Sequence, residues 1–153
     1  MRCRIIAVLL FSLLLAVPAA ADQAIVEGQN VYVPAYSHIY QGPKGRPYQL
    51  AVMLSIRNVD LDTSITVAVI DYYDDHGKKL HAFLDKPVTL GPLETYEVNI
   101  PANDKTGGSG ANFIVNWSAE KAVSAPIIQS VMIGTASQQG ISFVCDGVPL
   151  ESH

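Results

Sequence analysis

The chain has 153 residues, of which 49% are hydrophobic and 16% charged, and it carries a formal net charge of −4. That length suits one domain with one core. The acidic balance, with no basic cluster, argues against nucleic acid or an anionic lipid surface as a partner.

The first stretch is MRCRIIAVLLFSLLLAVPAAADQ, in which Arg2 and Arg4 precede an apolar run from Ile5 to Val17 broken only by Ser12. The run is shorter than the roughly 20 residues a membrane span needs, and Ala19, Ala20 and Ala21 follow it with small side chains. This is the pattern of a bacterial secretory signal peptide over residues 1–21, with cleavage before Asp22. Residues 22–153 are then expected to form a single β-sandwich domain, periplasmic or secreted, with no membrane anchor after cleavage. Cys3 lies in the charged leader, away from the end of the apolar run where a lipoprotein anchor would sit. The leader holds two of the ten basic residues and none of the fourteen acidic ones, so the remainder is more acidic still. That remainder keeps one cysteine, Cys145, which rules out an internal disulfide and leaves stability to the core.

Beyond the leader the apolar residues alternate with a period of two, and no segment sustains a helical period over three turns. Asn30 to Tyr40 reads as the first extended segment, with Pro34 suggesting an edge position. In YQLAVMLSIRNV, Leu50, Val52, Leu54 and Ile56 share one face, while Gln49, Ser55 and Arg57 share the other. ITVAVIDYYDD is apolar on both faces and should be central, ending at the Asp- and Gly-rich turn DDHGKK. KLHAFL points Leu80, Ala82 and Leu84 one way. Tyr96, Val98 and Ile100 share a face, as do Phe113, Val115 and Trp117; PIIQSVMIG and GISFVC complete eight or nine short strands. A two-sheet antiparallel sandwich of immunoglobulin-like type accommodates that many strands in this length, and a small closed β-barrel is the alternative.

Chemistry-bearing motifs are sparse. TGGSGANFIVNW, Thr106 to Trp117, lacks the lysine and the following helix of a phosphate cradle, so its glycines are expected to form a bend, made necessary by close approach of the TASQQG segment. GTASQQGISF lacks the Gly-x-Ser-x-Gly elbow of a serine nucleophile at Ser137; Ser137, Gln138 and Gln139 are instead polar loop residues able to contact a partner. Cys145 is the one candidate thiol nucleophile, with His38, His76, His81 and His153 as the histidines available to activate it. Its alternation with Ile141 and Phe143 places it on the core face. NVDLDTS offers Asn58, Asp60 and Asp62 like the start of a calcium loop, but Thr63 stands where the glycine belongs. Asp74, Asp75 and His76, with His81 five residues on, form a mixed oxygen and nitrogen set suited to zinc or copper. In VYVPAYSHIYQG an extended chain puts Tyr32, Tyr36, His38 and Tyr40 on one face, an aromatic surface for a peptide, a glycan or a partner strand.

VYVPAYSHIY, LSIRN, DYYDDHGK, GGSGANFIVNW and MIGTASQQGISF, taken together, resemble a bacterial secreted family known as domain of unknown function 3124. The resemblance spans about Val31 to Val144. It implies a single domain behind a signal peptide and transfers no activity and no catalytic residue.

With no acid, base and nucleophile at recognisable spacing, the expectation is a non-enzymatic binding domain that needs no cofactor. Its partner would be an envelope protein, peptide or glycan, met by Tyr32, Tyr36, His38, Tyr40, Ser137, Gln138 and Gln139. The alternatives are a periplasmic metal-binding protein using Asp74, Asp75, His76 and His81, and, third, a Cys145-dependent enzyme. Oligomeric state is not legible in the sequence.

Overall fold

The computed structural model describes residues 24–135 and 140–151. The leader with its cleavage site, Ser137, Gln138, Gln139 and His153 lie outside the described residues. Among the described residues there are twelve strands: β1 (Ile25–Pro34), β2 (His38–Gln41), β3 (Arg46–Gln49), β4 (Ala51–Arg57), β5 (Ile65–Tyr73), β6 (Lys79–Ala82), β7 (Val88–Leu90), β8 (Thr95–Ile100), β9 (Asn112–Ser124), β10 (Ile127–Gly134), β11 (Ile141–Asp146) and β12 (Val148–Leu150). The surplus over the expected eight or nine has two sources: the run from Asn30 to Tyr40 breaks after Pro34 and the next divides between β3 and β4, while β7 and β12 are short strands outside the expected segments.

All pairing is antiparallel. One sheet runs β12-β1-β9-β5-β6, with β7 alongside the start of β5; the other runs β11-β10-β4-β8; β2 and β3 form a separate hairpin. The chain thus forms an antiparallel two-sheet sandwich of immunoglobulin-like type rather than a closed barrel. Neighbours β4 and β8 in one sheet are each followed by neighbours β5 and β9 in the other. The two crossings lie at opposite ends of the sandwich, residues 58–64 at one and residues 101–111 at the other. β1 is an interior strand, not the expected edge. β12 covers only Asn30 to Tyr32, so Pro34 pairs with β9 on one side alone, and its missing N–H costs no ladder bond on the other.

Period-two alternation delivers the core as the sequence implies. Leu50, Val52, Leu54 and Ile56 meet Phe113, Val115 and Trp117 across the sandwich, all buried. The KLHAFL segment departs from its expected phase. β6 ends at Ala82, which is exposed, and the N–H of Phe83 bonds to Ile70 O at 2.8 Å, turning Phe83 with Leu80 and Leu84 toward the core. Trp117 is 1% exposed and its indole N–H finds no acceptor. Burying such a ring contributes about 5 kcal/mol, against about 1–3 kcal/mol for one unsatisfied donor, so apolar burial prevails.

Among the described residues one non-glycine position is strained. Leu93, in the turn before β8, has φ 60° and is 66% exposed. A side chain in the left-handed region costs about 1 kcal/mol, which glycine avoids. Leu93→Gly is therefore expected to raise stability by a few tenths to about 1 kcal/mol, read as the midpoint of urea unfolding; a lowered midpoint would show that the leucine side chain stabilises the turn.

Candidate functional site

The β2–β3 hairpin belongs to neither sheet. Its turn is built on Gly42 (φ 69°) and Gly45 (φ 55°), closed by the Gly45 N–H on Gly42 O at 3.1 Å. Alternation sorts its two faces: Ile39 and Tyr48 pair and turn inward, while His38 and Tyr40 point away, with Pro47 opposite Tyr40. The rings of His38 and Tyr40 meet edge to face, centroids 5.1 Å apart. Tyr40 is 64% exposed. Beyond them Gln41, Gly42, Pro43, Lys44 and Arg46 line a depression of about 370 Å³. Beneath the hairpin runs the end of β10, where a Cβ on Gly134 would overlap the Tyr48 ring and come within 2.8 Å of Leu50 Cδ2.

The four aromatic residues expected on one face separate. Tyr32 stands on the outer face of the first sheet, paired with Ile114 on β9 and Val148 on β12. Tyr36 turns toward the second sheet and packs edge to face on Phe143, centroids 5.7 Å apart. Only His38 and Tyr40 come together, because the chain changes pairing partner after Pro34. Pro47 and the cations Lys44 and Arg46 escaped notice in the sequence; the only available signal was the RPYQ run facing HIYQ across a short Gly-Pro-Lys-Gly turn.

At the same end of the sandwich the DDHGKK turn meets the glycine loop. The Asp75 N–H bonds to Gly107 O at 3.1 Å, and Ser37 N–H to Gly108 O at 2.9 Å. A Cβ on Gly107 would overlap the Tyr72 hydroxyl and lie 2.8 Å from Ser37 Oγ; one on Gly108 or Gly110 would meet Asp75. Among the described residues, the close approach that demands the glycines comes from Ser37, Tyr72, Ala111 and Asp75; residues 136–139 of the TASQQG segment lie outside the described residues.

One ligand atom each from Asp74, Asp75 and His76 lies within 4.8 Å of the others. His76 Nδ1 is 2.7 Å from Asp75 Oδ1, with the imidazole 85% exposed. Asp74 Oδ1 is already engaged, accepting the N–H groups of His76 at 2.9 Å and Lys78 at 2.8 Å. His81 does not join them; it pairs across β6 with Tyr72 and its ring lies against Phe83. The calcium-like NVDLDTS segment spends its oxygens on its own backbone: Asn58 Oδ1 accepts Asp60 N–H, and Asp60 Oδ1 accepts those of Asp62 and Thr63.

Three carboxylates sit below their ordinary range, Asp60 through the Asp62 N–H foremost, Asp74 through that of Lys78, and Asp104 through the Thr106 hydroxyl, 2.6 Å away. For a depressed carboxylate the contribution to stability is full above the unfolded value, 3.8, and vanishes as pH falls through the folded one. Melting midpoints should accordingly be flat at mildly acidic pH and fall below about pH 4. Asp104→Asn should shallow that acid limb, and an unchanged limb would count against the assignment. Cys145, half-buried against the core, has its thiol pushed up by desolvation first and then by Asp146. A thiol so raised stays protonated near neutrality and is a poor nucleophile.

Fold and site together define an all-β sandwich domain with a separate aromatic hairpin at one end. The chain belongs to the family described as Protein of unknown function (DUF3124), whose model matches residues 28–150. No curated protein matches it. A crystal structure described as that of Thermotoga maritima 1070 is similar at 12% identity, with a TM-score of 0.45 over 78% of this chain and 92% of that one.

Proposed function

We propose that this is a non-enzymatic binding domain of the bacterial envelope that receives a protein, peptide or glycan on the outer face of the β2–β3 hairpin. The observation that supports it is exposed Tyr40 packed edge to face on half-buried His38, backed by Pro47 and anchored on Tyr48. Rigid aromatic surface held outside both sheets offers contact area at little entropic cost, and Lys44 and Arg46 add cationic donors at its margin. His38→Ala with Tyr40→Ala should preserve the melting midpoint and abolish crosslinks between the tagged protein and its envelope partner. Retained crosslinks would move the site elsewhere. Tyr36 is a poor probe, since removing it also unpacks Phe143.

A second reading rests on the Asp74, Asp75 and His76 cluster as a metal site. Zinc or copper bound only by the folded state would raise the melting midpoint, and His76→Ala would remove the rise. No rise with either ion would dispose of it.

A further inference from the structure

An open sheet edge presents unpaired N–H and C=O groups and is a template for another strand unless something blunts it. The two sheets end at β12 and β6 in one and at β11 and β8 in the other. β12 is three residues long and carries Pro149; β6 is four residues long, carries Lys79 and is bulged against β5. β11 has none of these devices. Its six residues, ISFVCD, pair with β10 without a register shift, and its one charge, Asp146 at the end, accepts the Gln129 side-chain N–H at 2.7 Å.

Which backbone groups of β11 stand open follows from one bond. The Gly147 N–H reaches Ile128 O at 2.8 Å, the pair next in register after Asp146 and Gln129. Bonded pairs recur at every second residue of an antiparallel ladder, so Ile141, Phe143 and Cys145 spend their backbone groups on β10. Ser142, Val144 and Asp146 turn theirs to the open side, where no backbone partner meets them among the described residues. The side chains of these three are exposed, Val144 at 54% and in line with Val131 and Met53 across the sheet. Phe143 and Cys145 pack on the core yet stay half-buried, because no strand lies beyond them.

We propose that β11 pairs antiparallel with β11 of a second copy about a two-fold axis at Val144, joining two four-stranded sheets into one. This register sets Val144 against Val144 and Ser142 against Asp146, so every outward residue of the strand exchanges backbone bonds; sliding it by two residues leaves one of them unpaired. Each Ser142 hydroxyl then donates to the other copy's Asp146 carboxylate, and Val131 and Val144 run on into their counterparts as one aliphatic row. On the inner face each Phe143 ring lies opposite the other copy's Cys145, a favourable sulfur contact. The remaining long edge does not complement itself. In β8 the Asn58 N–H on Glu94 O fixes Thr95, Glu97 and Asn99 as the outward residues, and the equivalent pairing would set Glu97 against Glu97.

Sedimentation equilibrium of the whole protein over a dilution series should show monomer and dimer and nothing larger. Val144→Lys and Val144→Glu, at an exposed position, should each fold and stay monomeric throughout the series. Mixing the two in equal amounts should restore the dimer, because residue 144 faces itself. Glu97→Lys on β8 should leave association unchanged. In a Cys145→Ser background Val144→Cys should oxidise to a disulfide-linked dimer, its Cα atoms facing at about 5.5 Å, and Glu97→Cys should not. A wild type that is monomeric throughout would overturn the proposal and leave this edge to a strand of another protein. Association that survives in Val144→Lys, or that the mixture fails to restore, would overturn it equally by placing the contact on a different surface.

Discussion

Asn58→Ala should destabilise the domain by about 2–4 kcal/mol, the largest effect expected from any single polar truncation in it. The side chain is 2% exposed. Its Nδ2 donates to Thr63 O at 2.8 Å, Gly91 O at 2.9 Å and Leu90 O at 3.2 Å, while its Oδ1 accepts the Asp60 N–H at 3.0 Å. One amide thereby ties the first inter-sheet crossing to the end of β7 and to the turn before β8, and alanine would orphan groups in all three. Asn58→Asp is the sharper companion because it keeps the shape and the Oδ1 acceptor while aiming a carboxylate at three carbonyl oxygens. Its folded pKa would be raised, so its deficit relative to wild type should be largest near neutrality, shrink as pH falls toward about 4, and be lost below that. A deficit independent of pH would mean that the carboxylate escapes to solvent and that Asn58 is not the clamp described.

Gly107→Ala should cost about 2–4 kcal/mol through a steric mechanism. Gly107 has φ −75° and ψ −25°, which alanine adopts freely, so backbone strain is not the cause. The cause is space, since the added methyl would occupy the volume of the Tyr72 hydroxyl and press on Ser37 Oγ and Ala111 Cβ at 2.8 Å. Relief requires parting Ser37 from Tyr72, whose hydroxyls bond at 3.1 Å in the interior. Tyr72→Phe alone should lose about 1 kcal/mol with that bond. Combined with Gly107→Ala it should recover a good part of the loss, because the clashing oxygen is gone. A double-mutant cycle by urea unfolding reads the coupling directly, and strict additivity would place the clash elsewhere.

Both positions show how legible the molecule was in its sequence. Alternation in the segments around Leu54, Val98 and Val115 marked strand faces, and the faces fell as marked, because the period of a strand is a property of its backbone. Where alternation carried less weight the expectation slipped. At Asn30 to Tyr40 a polar-apolar pattern continued unbroken through a change of pairing partner, so Tyr32 and Tyr36 left the face shared by His38 and Tyr40. Nothing local distinguishes a strand that continues from one that hands over to a hairpin. At Asn58 the side chain looked like the start of a calcium loop, and its work is instead to satisfy carbonyls 32 and 33 residues away.

By itself the sequence determined the all-β class, the inward sets of residues on most strands, the burial of Trp117 and the family to which the chain belongs. Each depends on local period or on ordered motifs, and both survive without knowledge of what packs against what. Only the tertiary structure decided which glycines are obligatory and which aromatic rings meet. Those are consequences of two sheets crossing at opposite ends, which places residues far apart in sequence within a few ångströms of one another.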